Sequence, residues 1–114
     1  MYREVWKPIP GYVGYDVSNR GRVRSRCLPG RPRILRPWVT RRYLKIGLFR
    51  DGRRHRLRVH RLVAITFFGP ARGREVDHVD GNRLNNRLEN LEYVSPSENV
   101  RRAWVRRHAR EAGA

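Results

Sequence analysis

Two alternating runs joined by Asp51-Gly52 constrain this chain more than any other feature in it. Leu44, Ile46 and Leu48 alternate with Tyr43, Lys45, Gly47 and Phe49, and beyond the dipeptide Leu57 and Val59 alternate with Arg56 and Arg58. A period of two belongs to a strand with one buried face and one solvated face. Asp-Gly accepts the positive φ that a two-residue type I′ turn requires at both central positions. The stretch is therefore predicted to be a β-hairpin, apolar on one face and rich in arginine on the other.

Shorter signals surround it. Residues 11–26 read as a small hairpin, with turn chemistry from Asn19 and Gly21 and with Val17 and Val23 on either side. Pro29, Gly30, Pro32 and Pro37 make 27–37 a loop with at most a short strand at Ile34–Leu35. Residues 60–68 read as a short buried helix stopped by Gly69-Pro70. Strands are predicted at 75–79 and 91–94, separated by a loop holding Gly81, Asn82, Asn85 and Asn86. A last helix starts at Ser95, with Pro96 at its first position and Glu98 completing a capping box. Val100, Ala103 and Trp104 give that helix an apolar stripe. The result is an α+β chain ending in a strand–loop–strand–helix unit over 75–110, and 114 residues suffice for one domain or two small lobes sharing a core.

Charge narrows the function. Lys and Arg number 27 against 10 Asp and Glu, a formal net charge of +17. Such an excess calls for a polyanionic partner, and nucleic acid comes first. No apolar run is long enough to span a bilayer, and the N-terminus lacks the apolar run of a signal peptide, so no membrane role is expected and the chain reads as intracellular. Cys27 is the single cysteine, which rules out an intramolecular disulfide and a cysteine-based structural zinc site. Arginine outnumbers lysine 25 to 2, which suits phosphate but equally suits a compositional habit of the source genome.

The charges are also segregated. Residues 20–74 hold 18 of the basic residues and one acid, Asp51, whereas 75–92 hold Glu75, Asp77, Asp80, Glu89 and Glu92. A protein that only grips phosphate gains nothing from carboxylates near its ligand, but a metal-dependent nuclease needs them to hold a cation. Neutralisation of neighbouring arginines explains the same acids. Within the 75–110 unit Asp77 and Asn99 offer hard oxygen ligands of the sparse kind that suits Mg²⁺, and His78 is a residue type that takes a proton from water near neutral pH. By spacing alone, an isolated Asp-His pair is more often a surface feature, and an Asn in a loop more often bonds backbone. Adjacent strand residues face opposite sides, so a site shared by Asp77 and His78 requires the strand to bend or end there.

At this point the residues resemble a known family. The run HRLVAITFFGPARGREVDHVDGNRLNNRLENLEYVSPSEN (60–99) is similar to the HNH homing-endonuclease core of phage and intron origin, with DH, DGN, NN, NLE and SEN in order. The segment WKPIPGYVGYDVSNRGRVRS (6–25) resembles the N-terminal module often fused to that core. The resemblance implies a ββα-metal core preceded by β-hairpins and a short helix, divided as an N-terminal β module at 1–42 and a hairpin plus nuclease core at 43–114. It implies Asp77 and Asn99 as ligands of one divalent ion, Mg²⁺ or Mn²⁺, with Asn99 standing where the family name has a histidine. It implies His78 as general base and Asn90 as the asparagine that holds the loop and orients His78 by hydrogen bonding.

The function so implied is metal-dependent hydrolysis of double-stranded DNA, nicking one strand per active site, with no statement about a homodimer or a phage protein partner. Arg54, Arg56, Arg58, His60, Arg61, Arg101, Arg102 and Arg106 are the expected DNA contacts, mostly to phosphate. His60 matches a family position too, and for it a structural or phosphate-contact role is favoured over catalysis. Two rival functions remain at this stage: a non-cleaving basic DNA-binding protein descended from such a nuclease, and a basic RNA-binding or ribosome-associated protein.

Overall fold

The computed structural model describes residues 3–27 and 29–113, with side chains described as far as Ala109. Strands β1 (Trp6–Pro8), β2 (Tyr15–Ser18), β3 (Val23–Ser25) and β4 (Arg33–Ile34) form a four-stranded antiparallel sheet in sequence order. Strands β5 (Trp38–Thr40), β6 (Tyr43–Arg50) and β7 (Arg53–Arg58) form a second, three-stranded one. Helix α1 (Val59–Phe68) follows, then a two-stranded ribbon of β8 (Glu75–His78) and β9 (Leu91–Val94), then helix α2 (Pro96–Gly113). Among the described residues no helix is long and apolar enough to cross a membrane.

The predicted hairpin forms as expected. Asp51 and Gly52 adopt φ of 53° and 73°, so the turn has both residues left-handed. Ile46 pairs with Leu57 and Leu48 with His55 on the inner face, while Gly47–Arg56 and Phe49–Arg54 face outward. Helix α1 lies at the centre of the molecule. Its Val59, Leu62 and Val63 pack with Ile46 and Leu48 of β6, Val17 and Val23 of the first sheet, and Leu91 of β9 in one core. Burial of each such side chain stabilises by about 1.5–3 kcal/mol, so the three sheets and α1 form a single cooperative body. The Phe49 backbone N–H donates to the Tyr15 hydroxyl at 3.1 Å, tying the first sheet to the second.

Several local expectations differ from the fold. Strands β1 and β5 were not anticipated: each spans three residues, too short for a period to register, and Pro8 is tolerated because β1 is an edge strand. Strand β5 pairs with β6, so the second sheet runs across a division drawn at 42/43. Val59 opens α1 instead of closing β7. The capping box is half made. Ser95 Oγ accepts the Glu98 N–H at 3.1 Å, but the Glu98 carboxylate turns to Arg101 and Arg102.

The larger correction concerns α2. Its apolar stripe does not pack: Val100 is 70% exposed and Trp104 57%. Arg102 and Arg106, one helical turn apart on another face, hold the helix to the ribbon through Asp77 and Glu92.

Candidate active site

The ribbon supplies the Asp-His pair. In register, Asp77 faces Glu92 and His78 faces Leu91. Strand β8 ends at His78, whose carbonyl accepts the Gly81 N–H at 2.8 Å in a turn, while the Val79 N–H still bonds the Asn90 carbonyl at 2.8 Å in register with the ribbon. Asp77 and His78 are buried, at 4% and 5% exposure. Their bonding partners differ, yet both line one cavity of about 200 Å³ together with Tyr43, Arg83, Asn99 and Arg106.

Asn90 locks the loop beyond. Its Oδ1 accepts the Asp80 N–H at 3.0 Å, and its Nδ2 donates to Asp80 Oδ1 and to the Asn85 carbonyl, each at 2.9 Å. Asp80 also accepts from Asn85 Nδ2 and from the Asn82 N–H, and these bonds hold its carboxyl below the usual range. Asn90 therefore bonds across the loop, and among the described residues its amide makes no bond to the His78 ring. That role falls to Asn86, whose Oδ1 lies 2.8 Å from His78 Nε2. Sequence reading placed Asn86 in the loop and did not single it out. The adjacent Asn-Asn pair inside the family-like run was the available signal.

His60 is also placed differently from the DNA contact expected of it. It is 4% exposed, stacked on Tyr43 at 5.0 Å between ring centroids and lying 5.0 Å from His78. Burial drives its pKa down from 6.5 to about 3, assisted by His78, Arg61 and Arg58, and its Nδ1 has no hydrogen-bond partner among the described residues. His60 is a buried ring that backs His78 and also lines the wall of the adjoining basic groove.

Asp77 is held by α2. Arg106 donates to Oδ1 at 3.1 Å and to Oδ2 at 3.0 Å, and Arg102 donates to Oδ2 at 3.0 Å. Burial alone would raise the Asp77 pKa, but the hydrogen bonds and charges of these two arginines keep it below the usual carboxylate value. Arg102 also reaches Glu92 and Glu98. Arg102 and Arg106, expected as phosphate contacts, are thus paired with carboxylates of the protein in this structure. Arg101 remains exposed beside Glu98.

A divalent cation fits the remaining donors. Each carboxylate oxygen has two acceptor sites. Asp77 Oδ2 uses both on arginine, whereas Oδ1 takes a single Arg106 bond and keeps one acceptor site open. Asn99 donates Nδ2 to Glu75 at 2.9 Å, which fixes the amide and leaves its Oδ1 available at the cavity. Among the described residues no three His, Cys, Asp or Glu side chains gather into a metal cage. A cation here would complete its shell with water and substrate oxygens, the habit of Mg²⁺.

A basic, aromatic surface adjoins this cavity. Arg54 lies 5.2 Å over the Trp38 ring, Arg58 4.5 Å over Tyr43, and Arg83 5.1 Å over the same ring. Arg54, Arg56 and Arg61 are exposed. A groove of about 820 Å³ runs past Lys45, Arg56, Arg58 and Arg61 to Asn99.

A buried Asp-His pair on a two-stranded ribbon, a locked loop and a crossing helix that brings in Asn99 define a nuclease-type ββα site. Residues 57–101 match the HNH endonuclease family model, and residues 4–52 match the NUMOD4 motif. The chain is 43% identical over 97 residues to the DNA endonuclease I-HmuI of Bacillus phage SP01, covering 83% of this chain and 55% of that protein. It is 39% identical over 106 residues to an uncharacterized HNH endonuclease of Acanthamoeba polyphaga mimivirus, covering 88% of this chain and 26% of that one. A solved structure described as DNA binding and cleavage by the HNH homing endonuclease I-HmuI superposes with a TM-score of 0.79 at 42% identity, covering 90% of this chain and 59% of that one. Residues 57–101 thus resemble an HNH endonuclease domain, and HNH nucleases generally depend on a divalent metal. The chain spans about half the length of I-HmuI or less of the other relative.

Proposed function

We propose that this chain hydrolyses phosphodiester bonds in double-stranded DNA, with its active site in the cavity between the β8–β9 ribbon and α2. The observation that carries the reading is the convergence of Asp77, His78 and Asn99 on that one cavity. The groove lined by Lys45, Arg56, Arg58 and Arg61 leads to it and suits a phosphate backbone, which it would grip largely without reading sequence.

In this mechanism His78 takes the proton from a water that attacks phosphorus in line, with its ring backed by His60 and bonded by Asn86. Asp77 and Asn99 would hold the cation, Mg²⁺ with Mn²⁺ as a substitute. When bound, the cation supplies Lewis-acid stabilisation of charge on the phosphoryl group and the leaving 3′ oxygen. Asn90 keeps the 80–90 loop closed around the site. Arg102 and Arg106 keep Asp77 ionised and oriented. One site cuts one strand, so each binding event leaves a nick. The setting is intracellular, where duplex DNA is found.

One observation favours the rival reading of a non-cleaving DNA binder: two arginines already occupy most of the Asp77 carboxylate. Supercoiled plasmid incubated with the protein in Mg²⁺ or in EDTA, beside His78→Ala, separates the two. Relaxed product that needs the metal and disappears in the variant supports the nuclease. Plasmid that shifts on a gel but is never cut, across several metals and sequences, supports the binder.

A further inference from the structure

The turn after β2 joins the N-terminal sheet to the loop beside the site. Ser18 Oγ accepts the N–H groups of Arg20 and Arg22, which closes the turn. Asn19 fastens it to the start of the chain by accepting the Val5 N–H at 2.8 Å and donating to the Arg3 carbonyl at 3.1 Å. On its other side the turn meets the catalytic loop. The Asn19 carbonyl accepts the Leu88 N–H at 2.8 Å. Gly21, at φ +80°, sits so close to Asn86 that a Cβ would lie 2.8 Å from the Asn86 carbonyl oxygen and 3.0 Å from its Cβ. A side chain at position 21 would displace Asn86, whatever its chemistry.

Asn86 is buried, its Oδ1 lies against His78 Nε2, and its Nδ2 has no partner among the described residues. The His78 ring is thus the one group bonded to this amide among the described residues. An oxygen acceptor facing Nε2 requires Nε2 to carry the ring hydrogen, and a neutral imidazole then keeps its lone pair on Nδ1. Asn86 fixes both the ring orientation and the nitrogen that can accept a proton.

We infer that the Asn19–Gly21 turn and Asn86 are positioning residues for His78, so that the N-terminal module helps assemble the active site in addition to any contact it makes with DNA. This rests on the nuclease reading for its kinetic consequence, but the tautomer it requires is a property of the metal-free protein. Ring-nitrogen NMR of the metal-free full chain under mildly alkaline conditions reads that tautomer directly. Wild-type His78 is expected as a single Nε2–H form. Asn86→Ala should convert it to a mixture of tautomers and lower kcat for plasmid nicking about 10- to 100-fold, as loss of an orienting partner does, with KM for DNA unchanged. Asn86→Asp keeps an oxygen at Nε2 and should restore the single form.

Gly21→Ala should reproduce the mixed tautomers and the kcat loss while DNA affinity holds. Should Gly21→Ala not fold, Asn19→Ala loosens the same turn and is read in the same way. An unchanged His78 tautomer in Asn86→Ala overturns the role of Asn86. A turn variant that weakens DNA binding but leaves the His78 ring signals in place overturns the role of the module. If the wild type does not cut DNA at all, the nuclease reading fails separately, and the tautomer shifts alone decide the positioning role.

Discussion

Arg106 lays both terminal nitrogens of its guanidinium on the Asp77 carboxylate, at 3.1 and 3.0 Å, and also donates to the carbonyls of His78 and Val79. This fork replaces the apolar seam that α2 lacks. Removing it leaves a buried carboxylate with Arg102 as its remaining cation. Breaking a buried pair costs several kcal/mol, but Arg106 is about a third exposed and Arg102 compensates, so Arg106→Ala is expected to destabilise by roughly 1–2 kcal/mol. Urea unfolding measures it. A midpoint equal to that of the wild type would mean that solvent screens the pair and α2 is held by something else.

Acid should weaken the fold earlier than its carboxylates alone predict, because of His60. Its pKa falls from 6.5 to about 3 in the native state, so between those values the unfolded chain binds a proton that the folded chain refuses. Stability from this group is complete above 6.5 and is lost as pH falls toward 3. The slope approaches about 1.4 kcal/mol per pH unit. Between about pH 5 and 6.5 ordinary carboxylates stay ionised, which isolates the histidine contribution. His60→Phe keeps a ring against Tyr43 and should flatten the curve in that window. An equal slope in the variant would assign it to another group.

How far the sequence revealed this arrangement depends on the kind of interaction. The hairpin at Asp51-Gly52, the helix stopped by Gly69-Pro70 and the 91–94 strand were legible because each is set by local period and turn chemistry. Asp77, His78 and Asn99 were legible through their place in the family-like run. Pairings between distant segments were not. Nothing local to Arg102 or Arg106 says that they face Asp77, which lies 25 and 29 positions away, and exposed arginine on a helix reads first as a phosphate contact. The bond between Asn86 and His78 depends on how the loop closes, and that is set by Asn90 and by the distant Asn19–Gly21 turn. Burial of His60 follows from the packing of α1 beneath β6, which the predicted helix boundary, one residue late, did not reveal.

Asn90 should behave as a loop lock. Its amide makes three hydrogen bonds that join the two ends of the 80–90 segment. Replacing it with Ala leaves the part-buried Asn85 carbonyl and the Asp80 N–H without these partners, at a cost of about 1–2 kcal/mol, and should abolish nicking. Hydrogen exchange locates the effect: faster exchange at Asp80, Asn85 and Leu88, with the 43–58 hairpin unchanged. Slow exchange retained throughout the loop would move the lock elsewhere.

The two classes of arginine should separate in their response to salt. Arg56 is exposed in the groove and makes no ion pair among the described residues, whereas the Arg106 charge is taken up by Asp77. Each phosphate neutralised by a cationic side chain contributes about 0.9 to the slope of log K against log salt. In EDTA, where cleavage cannot intervene, Arg56→Ala should weaken binding to duplexes of any sequence alike and reduce that slope by about one. Arg106→Ala should leave the slope as it is, because a guanidinium already held by a carboxylate displaces no counterion from DNA. Should the slope fall for Arg106→Ala and not for Arg56→Ala, the duplex would lie against α2, and Arg106 would exchange Asp77 for phosphate on binding.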